Sequence, residues 1–134
     1  MIADPSSAGL RALAGHLVDS WNRVDSQAFV GLFTPDAEYV TGAGERVHGR
    51  QVISQLVEQA ALAAQVTLVE EPSAECDASL GLLTFAWSAI GPNGVVRRGT
   101  ITCSCVRHGD SWRIQSLRNN EAGSVGETTD PETS

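Results

Sequence analysis

The side chains with most scope for chemistry are three cysteines, Cys76, Cys103 and Cys105, and three histidines, His16, His48 and His108. Cys103 and Cys105 stand two apart in a β-branched run, so on a strand they share a face at about 7 Å, where a disulfide needs distortion. Zinc asks for four ligands at finger-like spacing, and the histidines are scattered. The expectation is reduced, mostly buried thiols in a reducing compartment, and no metal. The sequence contains no Ser-His-Asp arrangement, glycine-rich phosphate loop or nucleotide fingerprint, so no cofactor is expected either.

The other candidates suit binding better than bond-making. Trp21, Phe33, Tyr39 and Trp87 can line an apolar cup, although each is equally suited to core packing. Thr41, Arg98, Thr102 and Asn119 supply hydrogen-bonding groups. Arg98, Thr100, Thr102 and Ser104 share one face of the run 95–106, against Ile101, Cys103 and Cys105 on the other, and the polar face is the one read as lining the cup. Asn119 is either a ligand-orienting amide or a structural hydrogen-bonding group at a strand end. His48, beside Gly49 and Arg50, is a candidate for proton transfer, with a solvated loop histidine as the alternative. The candidate catalytic groups are thus Tyr39, Asn119 and His48.

These groups need elements to hold them. Residues 4–25, DPSSAGLRALAGHLVDSWNRVD, offer Asp4, Ser6 and Ser7 as N-caps and then Leu10, Leu13, Ala14, Leu17, Trp21 and Val24 at helical spacing. Asp25 caps a second, short helix carrying Phe29, Leu32 and Phe33, which Pro35 is expected to end. A turn at Thr34-Pro35-Asp36-Ala37 leads into a strand with Ala37, Tyr39 and Thr41 on one side. After glycines 42, 44 and 49, the run RQVISQLVEQAALAA (50–64) repeats Ile53, Leu56, Val57, Ala60 and Ala64 as a third helix. From Val66 onward four β-branched or aromatic runs, at 65–75, 78–90, 95–106 and 111–120, are separated by the turn signals Gly91-Pro92-Asn93-Gly94 and His108-Gly109-Asp110. Three helices followed by a strand meander is an α+β order.

With 134 residues, one domain over 1–121 is expected, followed by a disordered acidic tail at 122–134. The chain has nine arginines, no lysine and sixteen acids, for a net charge of -7. Four of the acids (Glu121, Glu127, Asp130, Glu132) fall in the last fourteen residues, so the remainder is mildly acidic and carries no clustered positive charge for a nucleic acid. No apolar run approaches the ~18 residues of a bilayer span, and the N-terminus lacks a signal-peptide pattern. The expectation is a soluble, cytoplasmic protein.

The stretches SWNRVDSQAFVGLFTPDAEYV (20–40), VHGRQVI (47–53) and the terminal strands ending in SWRIQSLRNN (111–120) together resemble the nuclear transport factor 2-like superfamily, over about residues 8–121. That superfamily includes ketosteroid isomerases, polyketide cyclases and limonene epoxide hydrolase. The resemblance implies a cone-shaped α+β barrel, three helices packed in a strongly curved mixed or antiparallel sheet around one deep pocket, with a homodimer formed across the sheet. It places Tyr39 and Thr41 toward the pocket and puts Gln115, Leu117 and Asn119 inward on the last strand. It also puts Thr41 where the isomerase base stands and Leu17, Phe33 and Val57 where its tyrosines stand. None of these can do those jobs. The hydrolase chemistry needs carboxylates beside an arginine, and GVVRRGTITCSCV has none beside Arg97 and Arg98. The implied function is a hydrophobic-ligand protein of secondary metabolism. It is either a cofactor-free cyclase or isomerase of a polyketide-like or terpenoid-like substrate, or a non-catalytic dimeric binding or accessory module. The homodimer is expected to bury an outer sheet face carrying Ile, Cys or Trp.

Overall fold

The stripe Leu10, Leu13, Ala14 and Leu17 is fully or almost fully buried on one face of helix α1 (Pro5–Asn22). The structure, a computed structural model, describes residues 5–62, 65–91, 94–109 and 111–121. The expected acidic tail lies outside the described residues, as do Asp4, the last two residues of the expected third helix, Pro92, Asn93 and Asp110. Helix α1 ends where Val24 takes a φ of 53°, a left-handed conformation that a β-branched residue rarely accepts. Helix α2 (Ser26–Val30) follows, and the backbone N–H of Ala28 donates to the Asp25 carboxylate at 3.1 Å, the cap read from the sequence.

Helix α2 is shorter than expected. It stops at Val30, and Phe33 already begins strand β1 (Phe33–Val40), so Pro35 interrupts a strand and ends no helix. Phe33 pairs with Ile114 and Glu38 with Ser116, which leaves Thr34 to Asp36 as an irregularity where proline's missing N–H is tolerated. Strand β2 (Arg46–His48) folds back on β1, and helix α3 (Arg50–Ala60) follows. The Arg50 guanidinium donates to the Phe33 carbonyl, tying the start of α3 to β1.

The first expected strand of the meander is two strands, β3 (Gln65–Leu68) and β4 (Ser73–Cys76), which both pair with β5 (Leu80–Ile90). The sheet continues through β6 (Val96–His108) and β7 (Ser111–Glu121) to β1 and β2, in the order β2-β1-β7-β6-β5-β3. Only β1 and β7 run parallel. The seven strands form a curved, unclosed sheet against which the helices pack. At the free edge the Asn22 side chain plays the part of a neighbouring strand. Its amide donates to the Val66 carbonyl and its oxygen accepts from the Val66 N–H, both at 2.8 Å.

The inner and outer faces of β6 are the reverse of the expected ones. Ile101, Cys103 and Cys105 face the helices, the two cysteines almost completely buried, while Arg98, Thr100, Thr102 and Ser104 face outward. The side chains on which the expected dimer contact rested therefore lie in the core. The last strand contains a second surprise: Ser104 pairs with Ser116 but Cys105 with Ile114, so Gln115 is an extra residue. That bulge lets Ile114 and Leu117 both point inward and leaves Gln115 exposed, although the expected alternation put Gln115 inside.

Cys103 and Cys105 are free thiols, and burial pushes the Cys105 pKa up to about 12 and that of Cys103 well above its ordinary value. The contribution of these neutral buried thiols is fully present below about pH 9, where the unfolded chain is protonated too. Above pH 9 the unfolded thiolates form first, so stability falls as pH rises toward 12. At pH 8 a thiol reagent should modify one cysteine of the native protein, the half-buried Cys76, and all three after unfolding. Rapid modification of two or three in the native state would contradict the burial described here.

Candidate functional site

A partly open cavity of about 100 Å³ lies between the helices and the inner face of the sheet. Leu17, Val18 and Trp21 come from α1, Phe29 from α2, Ala60 from α3 and Tyr39 from β1. The sheet adds Val66, Phe85, Trp87, Ala89, Arg97, Ile101, Leu117 and Asn119. Helical spacing puts Leu17 and Trp21 one turn apart on the same face. Strand alternation does the same for Phe85, Trp87 and Ala89, all at most 5 % exposed.

Four expected residues meet here: Trp21, Tyr39, Trp87 and Asn119. The other four do not line the cavity. Phe33 is fully buried core, its ring 5.4 Å from Phe29 and 6.4 Å from Tyr39. Thr41 lies past the end of β1, where its hydroxyl accepts from the Glu45 N–H at 3.1 Å and closes the β1–β2 turn. Arg98 and Thr102 are on the outer face, for the reason of strand phase given above. His48 is exposed on the β1–β2 hairpin, its Nε2 at 3.5 Å from the Glu38 carboxylate, and lines no part of the cavity.

The residue missed was Arg97, the neighbour of the arginine chosen. Its guanidinium donates twice to Glu121, Nε to Oε2 at 2.6 Å and Nη2 to Oε1 at 2.7 Å, and stands 5.8 Å over the Trp87 ring. The signal was available: once the apolar residues 101, 103 and 105 are taken as core, residues 97 and 99 must face the same way. Trp87 is held by a hydrogen bond from its Nε1 to the Asn119 Oδ1 at 2.9 Å. That bond fixes the amide so that its Nδ2 remains a donor. Opposite Trp87 in the sheet is Gly99, whose missing side chain makes room for the indole. A Cβ there would lie 2.6 Å from the indole nitrogen.

Tyr39 brings a hydroxyl to the cavity wall. It is 5 % exposed, and among the described residues no hydrogen bond to its hydroxyl is formed. Burial, reinforced by nearby Cys103, raises its pKa far above the phenol range, so it is a neutral donor and no base. Among the described residues no carboxylate or imidazole lines the cavity, and no three His, Cys, Asp or Glu side chains cluster as a metal site would require. No described helix is long and apolar enough to cross a membrane.

Helices packed into a curved α+β sheet around one cavity define the nuclear transport factor 2-like, or cystatin-like, fold. Solved structures bear this out. A Mycobacterium tuberculosis protein of unknown function superposes with a TM-score of 0.75 at 17% identity, covering 93% of this chain and 81% of that one. A nuclear transport factor 2-like protein of Novosphingobium aromaticivorans gives 0.74 at 16% identity, with 85% and 80% covered. A second protein of that organism, provisionally named an aromatic ring hydroxylase, gives 0.74 at 13% identity, with 94% and 98% covered. No family profile matches the sequence, and no curated protein matches it. The likeness at these identities is one of fold.

Proposed function

We propose that the protein binds a small hydrophobic molecule in the cavity between α1 and the sheet. The observation that carries this reading is the lining: aromatic and aliphatic side chains on every side, with few polar groups, is the composition of small-molecule sites. The volume limits the occupant. Pockets for drug-sized ligands measure roughly 300 to 1,000 Å³, whereas an engineered cavity of ~150 Å³ takes a single benzene. At about 100 Å³ the site suits one ring or an equivalent fragment, so a polyketide-like or terpenoid-like molecule would insert one end.

Two versions of this function differ in whether bonds change. As a cofactor-free cyclase or isomerase, the protein would rely on holding reacting ends together, with the Tyr39 hydroxyl or the Asn119 amide polarising a carbonyl. As a non-catalytic carrier or accessory module, it would need only the apolar walls. That none of the described lining residues is a carboxylate or imidazole favours the second version. The homodimer is retained as a proposal, on different side chains from those expected. The outer face of β5 to β7 presents Thr84, Thr102, Ser104 and Ser116 beside the exposed Leu82, small side chains that a second copy could cover. Sedimentation at micromolar concentration should give a dimer, and monomer alone would count against it.

The test of binding is cavity filling. Ring-sized apolar probes should shift the emission of Trp21 and Trp87 and raise the melting temperature, because a ligand at a hundred times its Kd adds ~2.7 kcal/mol to stability. Ala60→Leu, which fills the cavity from α3, should abolish both effects while remaining folded. Unchanged probe binding in that variant would move the site elsewhere.

A further inference from the structure

We infer that the cavity selects a neutral, ring-sized molecule bearing one hydrogen-bond acceptor, such as a cyclic ketone or aldehyde, and that the Tyr39 hydroxyl is the group that recognises it. This rests on the reading of the cavity as the ligand site and adds the chemical class of the ligand.

Three observations carry it. The first is the hydroxyl itself. Tyr39 lines the cavity at 5 % exposure with Phe29 and Phe33 as ring neighbours, and its O–H finds no partner among the described residues. Buried polar groups are almost always paired, and phenylalanine would fill the same space without the need. An acceptor entering the cavity supplies the missing partner. Burial keeps the phenol protonated at any ordinary pH, so its O–H is available to donate to an acceptor oxygen that enters.

The second observation is the state of the charge. Among the described residues Arg97 is the one charged side chain in the lining, and its Nε and Nη2 both donate to Glu121. The bidentate pair leaves the cavity electrically balanced, so an anion entering it must compete with a carboxylate already held at 2.6 and 2.7 Å. The third is the second polar group. Asn119 gives its oxygen to Trp87, leaving an N–H donor. Tyr39 and Asn119 therefore both offer hydrogens to the cavity, and a ligand that complements them carries an oxygen acceptor.

Three probes of one shape separate the possibilities: cyclohexanone, methylenecyclohexane and cyclohexanecarboxylate. Each is titrated into the full-length wild-type protein and into Tyr39→Phe, with tryptophan emission and calorimetry as readouts. The proposal expects cyclohexanone to lose about tenfold in affinity on Tyr39→Phe, methylenecyclohexane to hold or gain, and the carboxylate to bind the wild type at least tenfold more weakly than the ketone. The unliganded variant should melt at the same temperature as wild type or higher, since an unpaired hydroxyl is removed. Equal ketone affinity for both proteins, with hydrocarbon binding intact, overturns the proposal and leaves the cavity reading standing. Tightest binding by the carboxylate overturns the neutral class. A clear drop in the melting temperature of unliganded Tyr39→Phe overturns it too, because the hydroxyl would then have a protein partner. Failure of all three probes to bind either protein overturns the cavity reading itself.

Discussion

Gly99→Ala should destabilise the protein by about 2 to 4 kcal/mol and disable the cavity at the same time. The added Cβ would lie 2.6 Å from the Trp87 Nε1 and 2.7 Å from its Cε2 and Cζ2, distances that real side chains do not tolerate, and the whole indole must move because its rings are rigid. Overpacking of this kind costs ~1 to 3 kcal/mol. Moving the indole also breaks its hydrogen bond to Asn119, a further ~0.5 to 1.5 kcal/mol, and removes the surface over which Arg97 stands. Urea unfolding measures the first effect, and the position of tryptophan emission reports the second. Shortening the indole in the same background, Gly99→Ala with Trp87→Leu, should restore part of the loss, a coupling that a double-mutant cycle reads directly. A single variant within ~0.5 kcal/mol of wild type, with unchanged emission, would mean that Trp87 does not occupy this slot.

The second large effect belongs to Phe33. Its side chain is fully buried at the centre of the aromatic cluster with Phe29 and Tyr39, so Phe33→Ala should cost ~3 to 5 kcal/mol. The milder Phe33→Leu separates packing from binding. Because Phe33 does not line the cavity, this variant should lose some stability while keeping the affinity of any ring-sized probe. Trp21 should behave in the opposite way. It is half-buried and lines the cavity, so Trp21→Ala should cost less, ~1 to 3 kcal/mol, but should weaken probe binding more. If Phe33→Leu and Trp21→Ala lose affinity equally, the boundary between core and cavity drawn here is wrong.

The pH dependence follows the same separation of core from surface. Tyr39, Cys103 and Cys105 all have raised pKa values for the same first cause, burial, and all lose their stabilising contribution as pH rises above their unfolded values. An alkaline limb in the stability profile is therefore expected. It should flatten when Cys105 is replaced by alanine, apart from whatever the smaller side chain costs at neutral pH.

Local sequence was sufficient for the kinds of element. Helical spacing in 10–21 and β-branched runs from Val66 onward act over short stretches of chain, so α1, the Asp25 cap, α3 and the strands of the meander were legible. The resemblance carried the fold. Phase was another matter. Alternation divides β6 into two faces, but nothing in residues 96–108 says which face meets the helices, since threonine and cysteine are both tolerated on either side of a sheet. The tertiary structure settles it through long-range partners: Cys103 and Cys105 sit opposite Leu117 and Ile114 beneath the helices, and the bulge at Gln115 resets the last strand by one residue. A one-residue slip exchanges the two faces, which is why Arg98 and Thr102 were expected in the cavity and Arg97 was not. Phe33 and Thr41 were misplaced for a related reason. The proline irregularity and the Thr41–Glu45 turn break the simple alternation of β1, so only Ala37 and Tyr39 keep their expected side. The sequence alone thus determined which elements form and supplied the aromatic stock of the cavity. Which of those side chains share a wall, and that the Tyr39 hydroxyl finds no partner among the described residues, depended on strand register and bulges, whose energies come from residues far apart in the chain.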